Sequence, residues 1–165
     1  MRSPTVRPIE EQPSVGIRVT RPQAGIDVGA LVGQTLGALG GRLSALGIAV
    51  AGPPYVRYHA WGGETAVVEI GVPVAGDAGA ALPTLDEAGD GTPGASSLPG
   101  GRALVFEHRG PYDRLFESWA TAGGWLEAHG LRSAGAPWES YVGNPDLVPP
   151  AELLTEIVWP LAADA

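Results

Sequence analysis

Gly40-Gly41-Arg42-Leu43 and Gly123-Gly124-Trp125-Leu126 lie 83 positions apart, and the residues that follow them keep the same step. Gly47-Ile48 falls on Gly130-Leu131, Ala51-Gly52 on Ala134-Gly135, Pro54-Tyr55 on Pro137-Trp138, and Tyr58 on Tyr141. After a small insertion, Glu69-Ile70-Gly71-Val72-Pro73-Val74-Ala75 matches Glu156-Ile157-Val158-Trp159-Pro160-Leu161-Ala162. Compositional bias aligns stray Gly and Ala with each other. It does not align Tyr, Pro and the order Glu-Ile-x-x-Pro as well. The chain is a duplication, and the fold follows from reading one copy.

Each copy reads as strand, helix, strand, strand. Copy one opens with Val15 to Arg21, where Val15, Ile17 and Val19 alternate with Gly16, Arg18 and Thr20. Leu31, Leu36, Leu39, Leu43 and Leu46 recur near helical spacing and predict a helix over about Val28 to Leu46. Asp27 is placed to cap its start and Gly47 to end it. Beyond the Gly52-Pro53-Pro54 break come strands near Tyr55 to Trp61 and Thr65 to Val74, joined by Gly62-Gly63. Copy two opens with Arg102 to Arg109. Its helix runs from about Tyr112 to His129, entered through Gly110-Pro111 and ended by Gly130. Strands near Trp138 to Val142 and Glu152 to Leu161 follow, separated by the turn-rich Gly143-Asn144-Pro145-Asp146.

The predicted class is α+β: a pseudo-two-fold duplicated β-α-β-β domain with antiparallel sheets and a central ligand groove at the seam of the copies. Residues 1–13 read as a loose tail and 14–165 as a single domain. Within it copy one spans about 15–75 and copy two about 102–162. Residues 76–101, rich in Gly, Ala, Pro, Ser and acid, read as a flexible connector with room for a short edge hairpin.

Composition narrows the chemistry. The 165 residues suffice for one buried core without staples, and the 44% hydrophobic content is that of a globular chain. Absence of Cys excludes disulfides, thiolate metal sites and a Cys nucleophile. The formal charge is −8, and all ten basic residues are Arg. Such a surface repels phosphate backbones and keeps the protein soluble, and no basic stripe or DNA-reading motif offsets it, so nucleic acid is not an expected partner. No stretch approaches the roughly 20 apolar residues of a membrane span, and the start resembles no signal peptide, so a cytoplasmic protein is expected. His59, His108 and His129 lack a recognisable nucleophile partner, axial-ligand motif or metal-ligand spacing; no metal and no cofactor, haem included, is expected.

Two features depart from an ordinary core. In the last strand Leu154, Glu156 and Val158 share one face and Leu153, Thr155, Ile157 and Trp159 the other, both largely apolar. Glu156 is therefore read as a carboxylate in a hydrophobic row, which must find a partner, stay protonated or await a cation. Arg57 or Arg109 would be the structural partner. Glu69 holds the matching position in copy one. The second feature is an aromatic set of five Trp and four Tyr against two Phe, amphipathic rings that combine flat area with a polar edge. Tyr58, Trp61, Tyr112, Trp119, Trp138 and Tyr141 fall near the expected seam, although Trp119 also belongs to an apolar helix stripe. Flat rings beside a buried acid capture planar cations.

With these residues in hand, the chain resembles the GyrI-like family, which also supplies the effector-binding half of multidrug-sensing transcription regulators. The resemblance lies in the order of Gly52-Pro53-Pro54-Tyr55-Val56-Arg57-Tyr58-His59, Val68-Glu69-Ile70-Gly71-Val72-Pro73-Val74, Leu98-Pro99-Gly100-Gly101, His108-Arg109-Gly110-Pro111-Tyr112, Pro137-Trp138-Glu139-Ser140-Tyr141 and Glu156-Ile157-Val158-Trp159-Pro160. It implies binding of aromatic, often cationic compounds, with the last-strand glutamate, here Glu156, countering the charge and Tyr112 lining the pocket. Tyr58, Trp61, Trp119, Trp138 and Tyr141 complete the candidate set by position. Regulators of the family carry a DNA-binding domain, for which residues 1–13 are too short.

Three functions follow as expectations. The first is a stand-alone protein that sequesters aromatic or cationic xenobiotics. The second, taken from a hydrolytic subfamily it is similar to, is a hydrolase opening cyclopropane-containing DNA alkylators, with Glu156 as the catalytic acid or base. The third is an acidic interaction protein that inhibits a basic, topoisomerase-like enzyme.

Overall fold

A computed structural model describes residues 3–163. In chain order these form β1 (Thr5–Ile9), β2 (Gln12–Pro22), α1 (Val28–Leu46), β3 (Tyr55–Ala60), β4 (Thr65–Pro73), α2 (Leu85–Ala88), β5 (Pro93–Leu98) and β6 (Gly101–Arg109). A 3-10 turn (Tyr112–Arg114) leads into α3 (Leu115–Ala128), then β7 (Trp138–Tyr141), a second 3-10 turn (Pro150–Glu152) and β8 (Leu154–Pro160). The fold is mixed α+β with antiparallel strand pairing. Among the described residues no helix is long and apolar enough to cross a membrane.

The chain divides into two compact units, one of residues 11–99 and one of the chain up to Glu10 with residues from Gly100 onward. In the first, strands lie in the order β3-β4-β2-β5. Helix α1 packs on β4 and β2 with Thr35, Leu39 and Leu43 turned inward. It begins at the Asp27 cap, whose Oδ1 accepts from the Ala30 N–H at 3.0 Å, and ends where Gly47 takes a left-handed φ of 69°. In the second unit the order is β1-β6-β8-β7. Its core joins Leu104 and Phe106 of β6, Ile157 of β8, Leu115, Ala122 and Leu126 of α3, and Leu161. Each buried Leu, Ile or Phe among them contributes about 1.5–3 kcal/mol.

The order β3-β4-β2 in one unit and β7-β8-β6 in the other is the expected strand–helix–strand–strand repeat. The ends of the reading change. Residues 5–9 are a strand, not a loose tail: Thr5 to Ile9 pair with Val105 to Gly101 of β6. Pro8 masks this in the sequence, but among the described residues β1 has one neighbour, and an edge strand tolerates a residue without an N–H. The connector likewise holds a strand, β5, beside β2, and the short α2, so it is not merely a flexible link. Each repeat is thus one strand longer than its sequence suggests, and that strand completes the unit built on the other repeat.

Candidate ligand-binding site

On β7 the alternation puts Glu139 and Tyr141 on one face, opposite Ile157 and Thr155 of β8. That is the face α3 covers, since Ile157 belongs to the core built on Leu115, Ala122 and Leu126. Glu139 is accordingly 4% exposed. Both its oxygens are met by aromatic donors: Trp119 Nε1 donates to Oε1 at 2.7 Å, and the Tyr141 hydroxyl to Oε2 at 2.6 Å. Bonds to an ionised acceptor are the strong kind, about 1.5–3 kcal/mol each. Tyr112 meets Tyr141 edge-on with ring centres 5.4 Å apart, and Trp119 meets Trp159 likewise at 5.6 Å. The phenol of Tyr112 is pushed above its ordinary pKa, by burial first and by repulsion from Glu139 second.

Local chemistry fixes the rings. Gly110 adopts φ 135°, which lets the chain turn before Pro111 and start the 3-10 turn bearing Tyr112. His108, buried on β6, ties that turn and α3 to the sheet: Nε2–H donates to the Pro111 carbonyl at 3.0 Å, and Nδ1 meets Ser118 Oγ at 2.7 Å. Since a carbonyl only accepts, Nε2 carries the proton, and in neutral His108 the Ser118 hydroxyl donates to Nδ1. Ser118 and Trp119 are adjacent on α3, so the clamp on one sets the other.

The other unit holds a second buried acid with a different character. Glu69 of β4 is 1% exposed and accepts from the Tyr55 hydroxyl at 2.5 Å, Ser96 Oγ at 2.8 Å and His59 Nε2 at 2.8 Å. Ser14 Oγ supports Tyr55 at 2.9 Å. Burial pushes the Glu69 carboxyl up, but the hydrogen bonds from His59, Tyr55 and Ser96 outweigh it and hold the pKa below its ordinary value. The ring of Tyr55 lies over bare backbone: a Cβ on Gly71 would stand 2.6 Å from its hydroxyl and 2.6 Å from the Val15 carbonyl. This is a saturated, close-packed knot.

Of the residues expected from sequence, Tyr112, Trp119 and Tyr141 come together. Glu156 does not join them, and the reading of it as a buried acid is corrected. It sits opposite Glu107 and Ser140, on the face of β8 away from α3, with its side chain 29% exposed and Arg7 Nη2 3.6 Å from Oε2. Its partner is neither Arg57 nor Arg109 but an arginine from the segment read as a tail. Trp138, 3% exposed, pairs with Val158 and so also lies on that other face. Tyr58 and Trp61 belong to the other unit and pack edge-on against each other at 5.1 Å, Trp61 being 48% exposed. Glu139 and Trp159 are site residues that the sequence does not single out. The signal was present in Trp138-Glu139-Ser140-Tyr141, where an acid alternates with a Tyr, but a four-residue strand gives too short a pattern to tell its faces.

The model of the GyrI-like small molecule binding domain matches residues 3–162. No curated protein matches the sequence significantly. Among solved structures, the EcmrR C-terminal domain is 21% identical with a TM-score of 0.73, the match covering 98% of each chain. In the EcmrR–DNA complex the TM-score is 0.77 at 20% identity, over 98% of this chain but only 58% of EcmrR. SAV2435 bound to tetraphenylphosphonium is 12% identical with a TM-score of 0.66, covering 98% of this chain and 95% of that one. A hydrolase encoded by lin2189 of Listeria innocua is 14% identical with a TM-score of 0.59, covering 98% and 92%. At these identities the likeness is one of fold.

Proposed function

Since this chain belongs to the GyrI-like small-molecule-binding family, we propose that its guest is an aromatic, cationic compound held at Glu139. One observation carries the reading: a carboxylate 4% exposed, each oxygen hydrogen-bonded by an aromatic side chain. Hydrogen bonds from Trp119 and Tyr141 leave the carboxylate its negative charge, so Glu139 can attract a cation while keeping both donors. The rings of Trp119, Tyr141, Tyr112 and Trp159 supply the flat faces, each cation–π contact being worth about 0.5–2 kcal/mol. The tetraphenylphosphonium held by the similarly folded SAV2435 is a cation of this kind and supports the reading. The role that follows is capture of aromatic cationic xenobiotics, with Glu139 where the sequence pointed to Glu156.

Titration of a fluorescent lipophilic cation separates the two acids. Glu139→Gln should weaken binding at least about tenfold, roughly the 1.4 kcal/mol of one charge-assisted contact. Glu156→Gln should stay within about twofold, as expected for an acid outside the cage whose ion pair with Arg7 is partly solvated. The reverse ranking would return the role to the last strand.

The Listeria innocua neighbour favours a second reading, hydrolysis in the same cage. Glu139 would then take a proton from water as the water oxygen bonds a cyclopropane carbon and the ring C–C bond breaks, the released electron pair taking the proton back, while Tyr141 and Trp119 hold the electrophile. Incubation with a cyclopropane-bearing alkylator, followed by mass spectrometry for gain of one water, decides it; intact compound after many equivalents leaves binding alone.

A further inference from the structure

Thr155 is wholly buried, and among the described residues its Oγ1 has no hydrogen-bond partner. It stands on β8 directly opposite His108 on one side and Tyr141 on the other, so it shares the face that carries Glu139. The hydrogen-bonding atoms of both neighbours are already engaged: His108 with Ser118 and Pro111, the Tyr141 hydroxyl with Glu139. A valine would fill the same space without stranding a hydroxyl away from water, and a stranded hydroxyl is a net cost. Trp159, two turns of the pleat further along the same face of β8, has a buried Nε1 that is also without a partner among the described residues. An indole N–H can only donate, and a threonine hydroxyl can donate. Both are suited to an acceptor atom.

We propose that Thr155 is a specificity residue of this site, and that the guest is a planar cation bearing an acceptor oxygen such as a ring carbonyl. The proposal rests on Glu139 as the partner of the charge. Glu139 and Thr155 are diagonal neighbours on adjacent strands, about 7–8 Å apart, which is the reach of two fused rings with one substituent. Tyr112 is the most exposed ring of the set, at 37%, and sits on a three-residue turn against Tyr141. Tyr112 packs on Tyr141, the cross-strand neighbour of Thr155, so a guest that displaces Tyr112 comes beside Thr155 and its oxygen accepts a hydrogen bond from the hydroxyl. A cation skinned only in hydrocarbon leaves Thr155 unpaired.

The test uses two N-methylquinolinium cations that differ only in a benzo-ring substituent, acetyl in one and isopropyl in the other. Wild type should bind the acetyl compound about 5–10 times more tightly, the advantage of one hydrogen bond to a group otherwise left unsatisfied. Thr155→Val should bring the ratio to within about twofold by weakening only the acetyl compound, Thr155→Ser should restore it, and unliganded Thr155→Val should melt no lower than wild type. Glu139→Gln should weaken both compounds and leave their ratio. A ratio that survives in Thr155→Val, or is missing in wild type, overturns the proposal. Equal binding by wild type and Glu139→Gln overturns instead the assignment of the charge to Glu139.

Discussion

Tyr112 reports the charge of the site in a form that a spectrophotometer reads. Its phenol titrates above the ordinary 10.0 because burial disfavours the phenolate and, second, because Glu139 repels it. Glu139→Gln removes the repulsion and keeps the burial, so the Tyr112 pKa should fall yet stay above its ordinary value. The check is phenolate absorbance, with the Tyr112→Phe curve subtracted in each background; identical curves would mean the two groups do not sense each other. Trp119→Phe keeps a ring but withdraws the Nε1 donor from a buried carboxylate, and should cost about 1–3 kcal/mol in a urea melt. The acid at the centre of these effects was hard to see in the chain for a physical reason. A longer strand such as β8 shows its alternation, so Glu156 stands out against apolar neighbours, whereas the four residues of β7 are too few to tell its faces apart. What buries Glu139 is α3 lying over its face, while Glu156 lies on the opposite face, half-buried beside Arg7. Both facts are tertiary.

At the level of elements, β1 is the piece whose removal tells most. Its five residues pair with Val105 to Gly101, Val6 packs on the core of the second unit, and Arg7 reaches Glu156. A chain lacking residues 1–9 should lose about 2–4 kcal/mol, the burial of one valine plus the net worth of a short ladder. It should also self-associate, because the edge of β6 is then bare. Light scattering together with a urea titration reads both; an unchanged midpoint would make β1 a passive strap. The strands that were legible, β2, β3, β4, β6, β7 and β8, announce themselves by alternation or by turn residues at their ends. Those that were not lack such a signal: β1 is interrupted by Pro8, and β5 reads Pro93-Gly94-Ala95-Ser96-Ser97-Leu98, with no β-branched or aromatic residue. Packing defines β5 instead. A Cβ on Gly94 would come within 2.7 Å of Leu85 Cα, so the close seat of α2 on this strand accepts only glycine.

Across the whole chain, duplication has given two copies of the Glu-Ile-x-x-Pro strand and two different fates for its acid. Glu69 has Tyr55 to bond it, and a glycine at 71 lets that ring lie flat; the matching positions in the other copy are Trp138 and Val158, which offer Glu156 no hydroxyl and no bare backbone. One repeat keeps its strand acid as a structural knot, while the other has placed a new acid, Glu139, where the first has Val56. Stability against pH should therefore follow Glu69. Its folded pKa lies below the ordinary 4.5, so the unfolded chain binds the proton more readily, and stability rises with pH across that interval. The contribution is complete above about pH 4.5 and is lost as pH falls through the folded value. At the alkaline end Tyr55 gives the opposite slope: burial and Glu69 hold its pKa well above 10.0, so the unfolded chain ionises first and stability declines as pH climbs beyond 10. Urea melts of wild type and Glu69→Gln from pH 3 to 7 isolate the acid limb. Glu69→Gln should be less stable at pH 7 by about 2–4 kcal/mol, the worth of charge-assisted bonds in a buried site. The two curves should converge as pH falls, since protonating Glu69 removes the same charge; parallel curves over the whole range would show that the knot does not depend on an ionised carboxylate.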